Sequence, residues 1–145
     1  MISPYFDYLS FFFNRKWKYP ASDIYSMMVK LADTGSGSVT RKKVTKSLTE
    51  IDRDRMDEGV SLCMGIFRRL GRKEGEMFLG TVNAGHPGGM LPLTEKEATT
   101  FHHESLPQNL YVADATLFPE SLGNPPILTI MAMARRVGRM CAALA

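Results

Sequence analysis

The chain has 145 residues, of which 44% are hydrophobic and 23% charged, and a net charge of +3. That length and composition suit a folded chain with a real core and exclude a disordered or low-complexity one. The small net charge argues against a nucleic-acid binder, and the clusters Arg41-Lys42-Lys43 and Arg68-Arg69 read as solvated surface because opposite charges stand nearby.

Residues 1–20 are rich in Phe and Tyr and hold Trp17. Such a segment must be covered, by its own fold or by a missing partner domain ahead of a membrane interface. It has Pro4 and Asp7 within it and no basic stretch before an apolar run, so no secretory leader is expected. Nor does any segment reach the roughly 18 apolar residues of a membrane span, and membrane association is not expected.

Residues 23–33 are compatible with helix or strand. The turn-forming run Thr34-Gly-Ser-Gly-Ser-Val39, followed by alternation through Thr45, favours a β-hairpin across 24–45. Thr49 is then a helix N-cap with Asp52 three positions on, a variant of the capping box. Met56, Val60, Cys63, Met64, Phe67 and Leu70 recur at helical spacing, and Gly71 stands where a terminating glycine belongs, which predicts an amphipathic helix over 50–70. Glu76–Asn83 reads as a strand running into a glycine-rich loop around His86, and 91–107 as a polar excursion. Leu110–Ala113 reads as a short buried strand, and Pro126–Leu144 as a closing helix with Ile127, Ile130, Ala134, Val137 and Cys141 on one face.

Two cysteines, Cys63 and Cys141, form no disulfide framework and no metal-ligand spacing. Buried free thiols in a reducing, cytoplasmic setting are expected. His102 and His103 are adjacent, so their side chains diverge, and no zinc site is predicted.

Three places are candidates for chemistry. His86 is flanked by Gly85, Pro87, Gly88 and Gly89, which allow close backbone approach to a ligand, and a histidine there can exchange a proton near neutral pH. The plain alternative is a loop histidine making one structural hydrogen bond. The helix start at Pro126 leaves the N–H groups of Ile127 and Leu128 free to face partial negative charge; an ordinary capped helix is the alternative. Asp114, at the end of the apolar run, could bind a ligand hydroxyl or cap the following turn.

The order of these motifs is distinctive. His86-Pro-x-Gly is followed by Asn-Leu-Tyr-Val-x-Asp114-Ala-Thr-Leu-Phe-Pro and then by Asn-Pro-Pro-x-x-Thr129-Ile-x-Ala-x-Ala. This order resembles the C-terminal portion of the glucose–methanol–choline (GMC) oxidoreductases, FAD enzymes that oxidise alcohols. Val29–Asp33 and Thr49–Met56 look like that family's substrate-domain sheet and helix. The resemblance implies an α+β fold: an antiparallel substrate-domain sheet with a long amphipathic helix, plus a C-terminal strand and helix that complete an FAD-binding domain. It implies a substrate-domain portion over 1–84 and, over 85–145, a segment with the His loop, the FAD-contacting strand and the closing helix.

The resemblance also implies roles. His86 is the acid/base beside the flavin, Asp114 and Ala115 contact FAD at the strand end, and Pro126 and Ile127 face the flavin O2 edge. The family's second active-site residue, His or Asn, stands immediately before the proline of Pro-x-x-Thr. Counted back from Thr129 that place is Pro125, and the candidate Asn124 comes one residue early. No glycine-rich dinucleotide loop is present. The expected partners are a small-molecule alcohol and an N-terminal FAD-binding half supplied upstream or by another chain. This chain alone is then expected to bind little FAD and to be inactive. The alternative is a non-catalytic binding or assembly module, or one half of a split flavoenzyme.

Overall fold

The computed structural model describes residues 1–5, 23–34, 37–80, 82–83 and 85–143. The aromatic segment around Trp17, Gly35, Ser36 and Leu144 lie outside the described residues. The architecture is α+β, and the chain divides into two compact units, Met1–Asn83 and Ala84–Ala145.

In the first unit, β1 (Ile2–Tyr5) pairs antiparallel with β2 (Ser26–Val29), Ile2 opposite Val29 and Tyr5 opposite Ser26. A second sheet joins β3 (Gly37–Val39) to β4 (Val44–Lys46), Val39 opposite Val44. The hairpin expected across 24–45 is therefore two separate pairings. The reason is local on one side and distant on the other. Thr40 closes a tight turn by donating its N–H to the Lys43 carbonyl at 2.8 Å. Its hydroxyl accepts the amides of Lys42 and Lys43 at 3.3 and 3.0 Å, so β3 and β4 pair with each other. Left without that partner, β2 takes a strand from the start of the chain.

Helix α1 (Glu50–Arg69) begins at the expected N-cap. The Thr49 hydroxyl accepts the Asp52 amide at 3.1 Å, and Asp52 accepts the Thr49 amide in return at 3.4 Å. Asp52 is buried, and its carboxylate also takes the Thr34 amide at 3.1 Å and the Thr34 hydroxyl at 3.1 Å. Burial alone pushes this carboxyl up, but the bonds from Thr49 and Thr34 outweigh it and hold the group below its usual value. One side chain thus starts α1 and ties the segment after β2 to it.

The helix ends in a Schellman motif. The Arg72 amide donates to the Phe67 carbonyl at 3.0 Å and Gly71 to Arg68 at 2.9 Å, with Gly71 at φ +80°. Of the expected apolar stripe, Cys63 is buried and Met56, Val60, Met64 and Phe67 are half-buried, but Leu70 is exposed. Burial pushes the Cys63 thiol up, as suits an unreactive packed sulfur.

The contact of α1 with β2 runs through Gly59. A methyl group there would stand 2.5 Å from Val29 Cγ1. Gly59→Ala should gain about 1 kcal/mol of helix propensity and lose about 1–3 kcal/mol to overpacking against a stiff β-branched side chain. Net destabilisation is expected, relieved in part by Val29→Ala in the same chain. Gly65→Ala, at a position with nothing within 4 Å, should instead be stabilising. Urea midpoints of the variants check both signs.

The strand expected over 76–83 is absent. Glu74–Glu76 form a 3-10 turn whose Glu76 carboxylate accepts the Lys73 amide at 2.9 Å. Phe78, Leu79 and Val82 follow, exposed and outside the strands of the described residues. A β-run needs an edge to pair with, and the sequence pattern does not report whether one is there.

In the second unit, helix α2 (Ile127–Ala143) starts after the double proline, with the Pro126 carbonyl accepting the Ile130 amide at 2.9 Å. Of its expected inner face, Val137 is buried, Ile130, Ala134 and Cys141 are half-buried, and Ile127 is 60% exposed. The buried apolar side chains of this unit include Leu117, Phe118 and Val137. Leu110–Ala113 is not the strand expected: it joins no ladder, and Leu110 is exposed. Among the described residues no helix is long and apolar enough to cross a membrane.

Candidate functional site

His86 lies in an exposed loop of the second unit. The chain after it turns at Gly89, whose φ is +73°, and follows the turn at 114–117. Gly89, Leu91 and Leu93 donate their amides to the carbonyls of Ala115, Thr116 and Leu117 at 3.1, 3.0 and 3.1 Å. At Gly88 the two segments touch backbone to backbone.

Asp114 is the N-cap of the 3-10 turn Ala115–Leu117, and its Oδ1 accepts the Thr116 amide at 2.7 Å. The capping reading of Asp114 therefore holds, while its side chain remains exposed. The turn buries Leu117 almost completely and half-buries Ala115. This buried anchor fixes the backbone to which the His86 loop is bonded.

The other candidates sit further along the chain. Asn124 and Pro125 are exposed on the loop before α2, Pro126 is buried, and Ile127 opens the helix. The hydrogen bonds that join the His86 loop to the 114–117 turn reach none of these four. The structure thus joins the His86 loop, through Gly89, to the Ala115 carbonyl of the Asp114-capped turn, and these bonds do not involve Asn124, Pro126 or Ile127. At the helix start Ile127, Leu128 and Met131 are 60%, 79% and 62% exposed, an apolar surface beside amides that have no partner within the helix.

The polar excursion has a centre that the sequence reading missed. Glu97 is buried, and its Oε2 accepts the Thr94 amide at 2.7 Å and the Thr94 hydroxyl at 2.8 Å. Its Oε1 accepts the Glu104 amide at 2.7 Å. The spacing Thr94-x-x-Glu97 was the available signal, since it is a capping-box pattern. Arg136 of α2 lies over the Phe101 ring at 4.6 Å and donates to the Thr99 carbonyl at 3.3 Å, so the excursion is held to the helix. His102 stacks edge-on with Tyr111 and hydrogen-bonds to the Pro107 carbonyl, while His103 Nδ1 accepts the Ser105 amide. Both histidines are therefore engaged locally.

The amides of Thr94 and Glu104 together with the Thr94 hydroxyl lower the Glu97 carboxyl from 4.5 to about 2. A carboxyl lowered in the folded state stabilises above its ordinary value and loses that contribution as pH falls toward the folded one. Glu97→Gln, which sets an amide donor against the donors of this knot, should lower the thermal midpoint at neutral pH. The gap from wild type should close between about pH 4.5 and 2, as seen in melts across that range.

No family model matches the chain, and no solved structure matches it. The uncharacterized protein MJ1450 of Methanocaldococcus jannaschii is 32% identical over 117 residues, which is 81% of this chain and 29% of that relative. The chain therefore spans less than a third of the length of the curated relative it matches.

Proposed function

We propose that this chain is the C-terminal portion of an FAD-dependent alcohol oxidoreductase of the GMC type. The observation that carries the reading is the bonded docking of the His86 loop on the Asp114–Leu117 turn. The two motifs of the resemblance that most concern the flavin are neighbours in space although 28 residues separate His86 from Asp114 in sequence.

The donor set suits a flavin. The amides at the start of α2 favour partial negative charge such as the pyrimidine edge of a flavin carries. Asp114 uses Oδ1 for its own turn and retains Oδ2 as an acceptor for a hydroxyl. In this reading Asp114, Ala115, Pro126 and Ile127 hold the cofactor, and FAD supplies the hydride acceptor. His86 takes the hydroxyl proton of the alcohol, and its glycine-rich surroundings admit the substrate closely. Asn124 is the candidate for a second hydrogen-bond donor to the alcohol oxygen. Pro125, in the place the family usually gives that residue, has no N–H and cannot serve.

The dinucleotide-binding half belongs to the rest of the enzyme. The run Leu110–Ala113, which joins no ladder among the described residues, and the exposed Ile127, Leu128 and Met131 support a second body that covers them. The test is to produce the chain together with that half. The purified protein should carry flavin that bleaches on adding an alcohol from a panel of sugars, sterols and simple alcohols, while the isolated 145 residues should bind little FAD. An assembled protein with no flavin absorbance would sink the reading.

A further inference from the structure

The backbone contact at Gly88 has a consequence for the site. A Cβ built on Gly88 would lie 2.5 Å from the Ala115 carbonyl oxygen, 3.2 Å from its carbon and 3.3 Å from its Cβ. Ordinary contact begins at 3.4 Å, so any side chain at 88 must push the segments apart by about 1 Å. The obstacle is backbone, which cannot rotate out of the way. The carbonyl in question also accepts the Gly89 amide, the first of the three bonds along the turn. Ala115 is in turn fixed by the Asp114 cap before it and the buried Leu117 after it. His86 stands two residues before Gly88, with Pro87 limiting the freedom of the link.

We infer that Gly88 is a positioning residue: it sets the distance between the His86 imidazole and the Asp114–Ala115 turn. This rests on the flavoenzyme reading of the site. If His86 moves the substrate proton and the turn holds the cofactor, the glycine between them sets how far apart the base and the cofactor stand. A misplacement of about 1 Å lowers a rate by roughly a hundredfold without changing what is bound.

The experiment is a double-mutant cycle in the assembled enzyme, the chain with its dinucleotide-binding half. Flavin content, melting temperature, kcat and KM are measured for wild type, Gly88→Ala, His86→Ala and the double variant. Gly88→Ala should keep its flavin, leave KM close to wild type and lose about 10²-fold in kcat. In the double variant the glycine loss should vanish, because a residue that acts only through His86 has nothing left to position. Additive losses, or an unchanged kcat in Gly88→Ala, overturn the positioning role alone. So does a Gly88→Ala protein that sheds flavin and melts early, since the glycine then serves stability. A wild-type assembly without reducible flavin overturns the reading of the site, and the role with it.

Discussion

Leu117→Ala is expected to destabilise the second unit by about 2–5 kcal/mol. Leu117 is 1% exposed and ranks with the most completely buried side chains of the described residues. It is the last residue of the Asp114-capped turn, and its carbonyl accepts the Leu93 amide at 3.1 Å, so the backbone cannot collapse inward to fill the space. The space would instead join an open groove of about 320 Å³ lined by Leu93, Ala98, Phe101, Phe118 and Met133. Because that groove already opens to solvent, the lost transfer energy should outweigh the cavity contribution, which favours the lower part of the range. Folded domains have only about 5–15 kcal/mol to lose, so the effect is large. Urea denaturation followed by circular dichroism should show a lower midpoint with an unchanged slope. Leu117→Met, which nearly conserves volume, should cost less than about 1.5 kcal/mol. Equal costs for the two variants would mean that burial of volume is not what Leu117 contributes.

His86→Ala in the assembled enzyme should lower kcat by about 10²–10⁴-fold, equivalent to about 3–5 kcal/mol of barrier. The expectation follows from the proposed role, proton acceptance as hydride leaves the alcohol carbon. His86 is exposed on its loop, and the buried core of the unit lies elsewhere, so folding and flavin content should be retained. Stopped-flow reduction by alcohol separates the chemical step from binding. A variant that reduces its flavin as fast as wild type would remove His86 from the reaction and leave it the plain loop histidine of the alternative reading.

These two residues differ in how they could be read from the chain. His86 is legible, because a histidine among glycines and a proline advertises a loop with room for a ligand. Leu117 is one leucine among several apolar residues, and only the turn that Asp114 caps selects it for the core. The same contrast runs through the fold. Thr49 with Asp52, Gly71 after α1 and the double proline before α2 all declare themselves, because capping and termination depend on groups within a few residues of each other.

Strand pairing escaped that kind of reading. The run at 76–83 and the run Leu110–Ala113 have strand composition but join no ladder among the described residues, while β2 pairs with a strand from the start of the chain. Composition reports that a segment would suit a sheet, and pairing depends on which edge arrives beside it. Glu97 was missed for a related reason. Two of its three bonds belong to the local Thr94 pattern, but the Glu104 amide that completes the knot comes from seven residues away.

The sequence by itself determined where both helices start, the caps of α1 and the order of the motifs around His86, Asp114 and Pro126. Those are short-range facts, written in residue type and spacing. The tertiary structure decided which strands pair, which carboxylate is buried and which glycine is irreplaceable. Gly59 and Gly65 stand in one helix and look alike in the chain, yet only Gly59 has Val29 against it. Gly88 is set apart from its neighbours by the Ala115 carbonyl in the same way. Close approach between distant segments is a property of the folded pair, and neither segment records it alone.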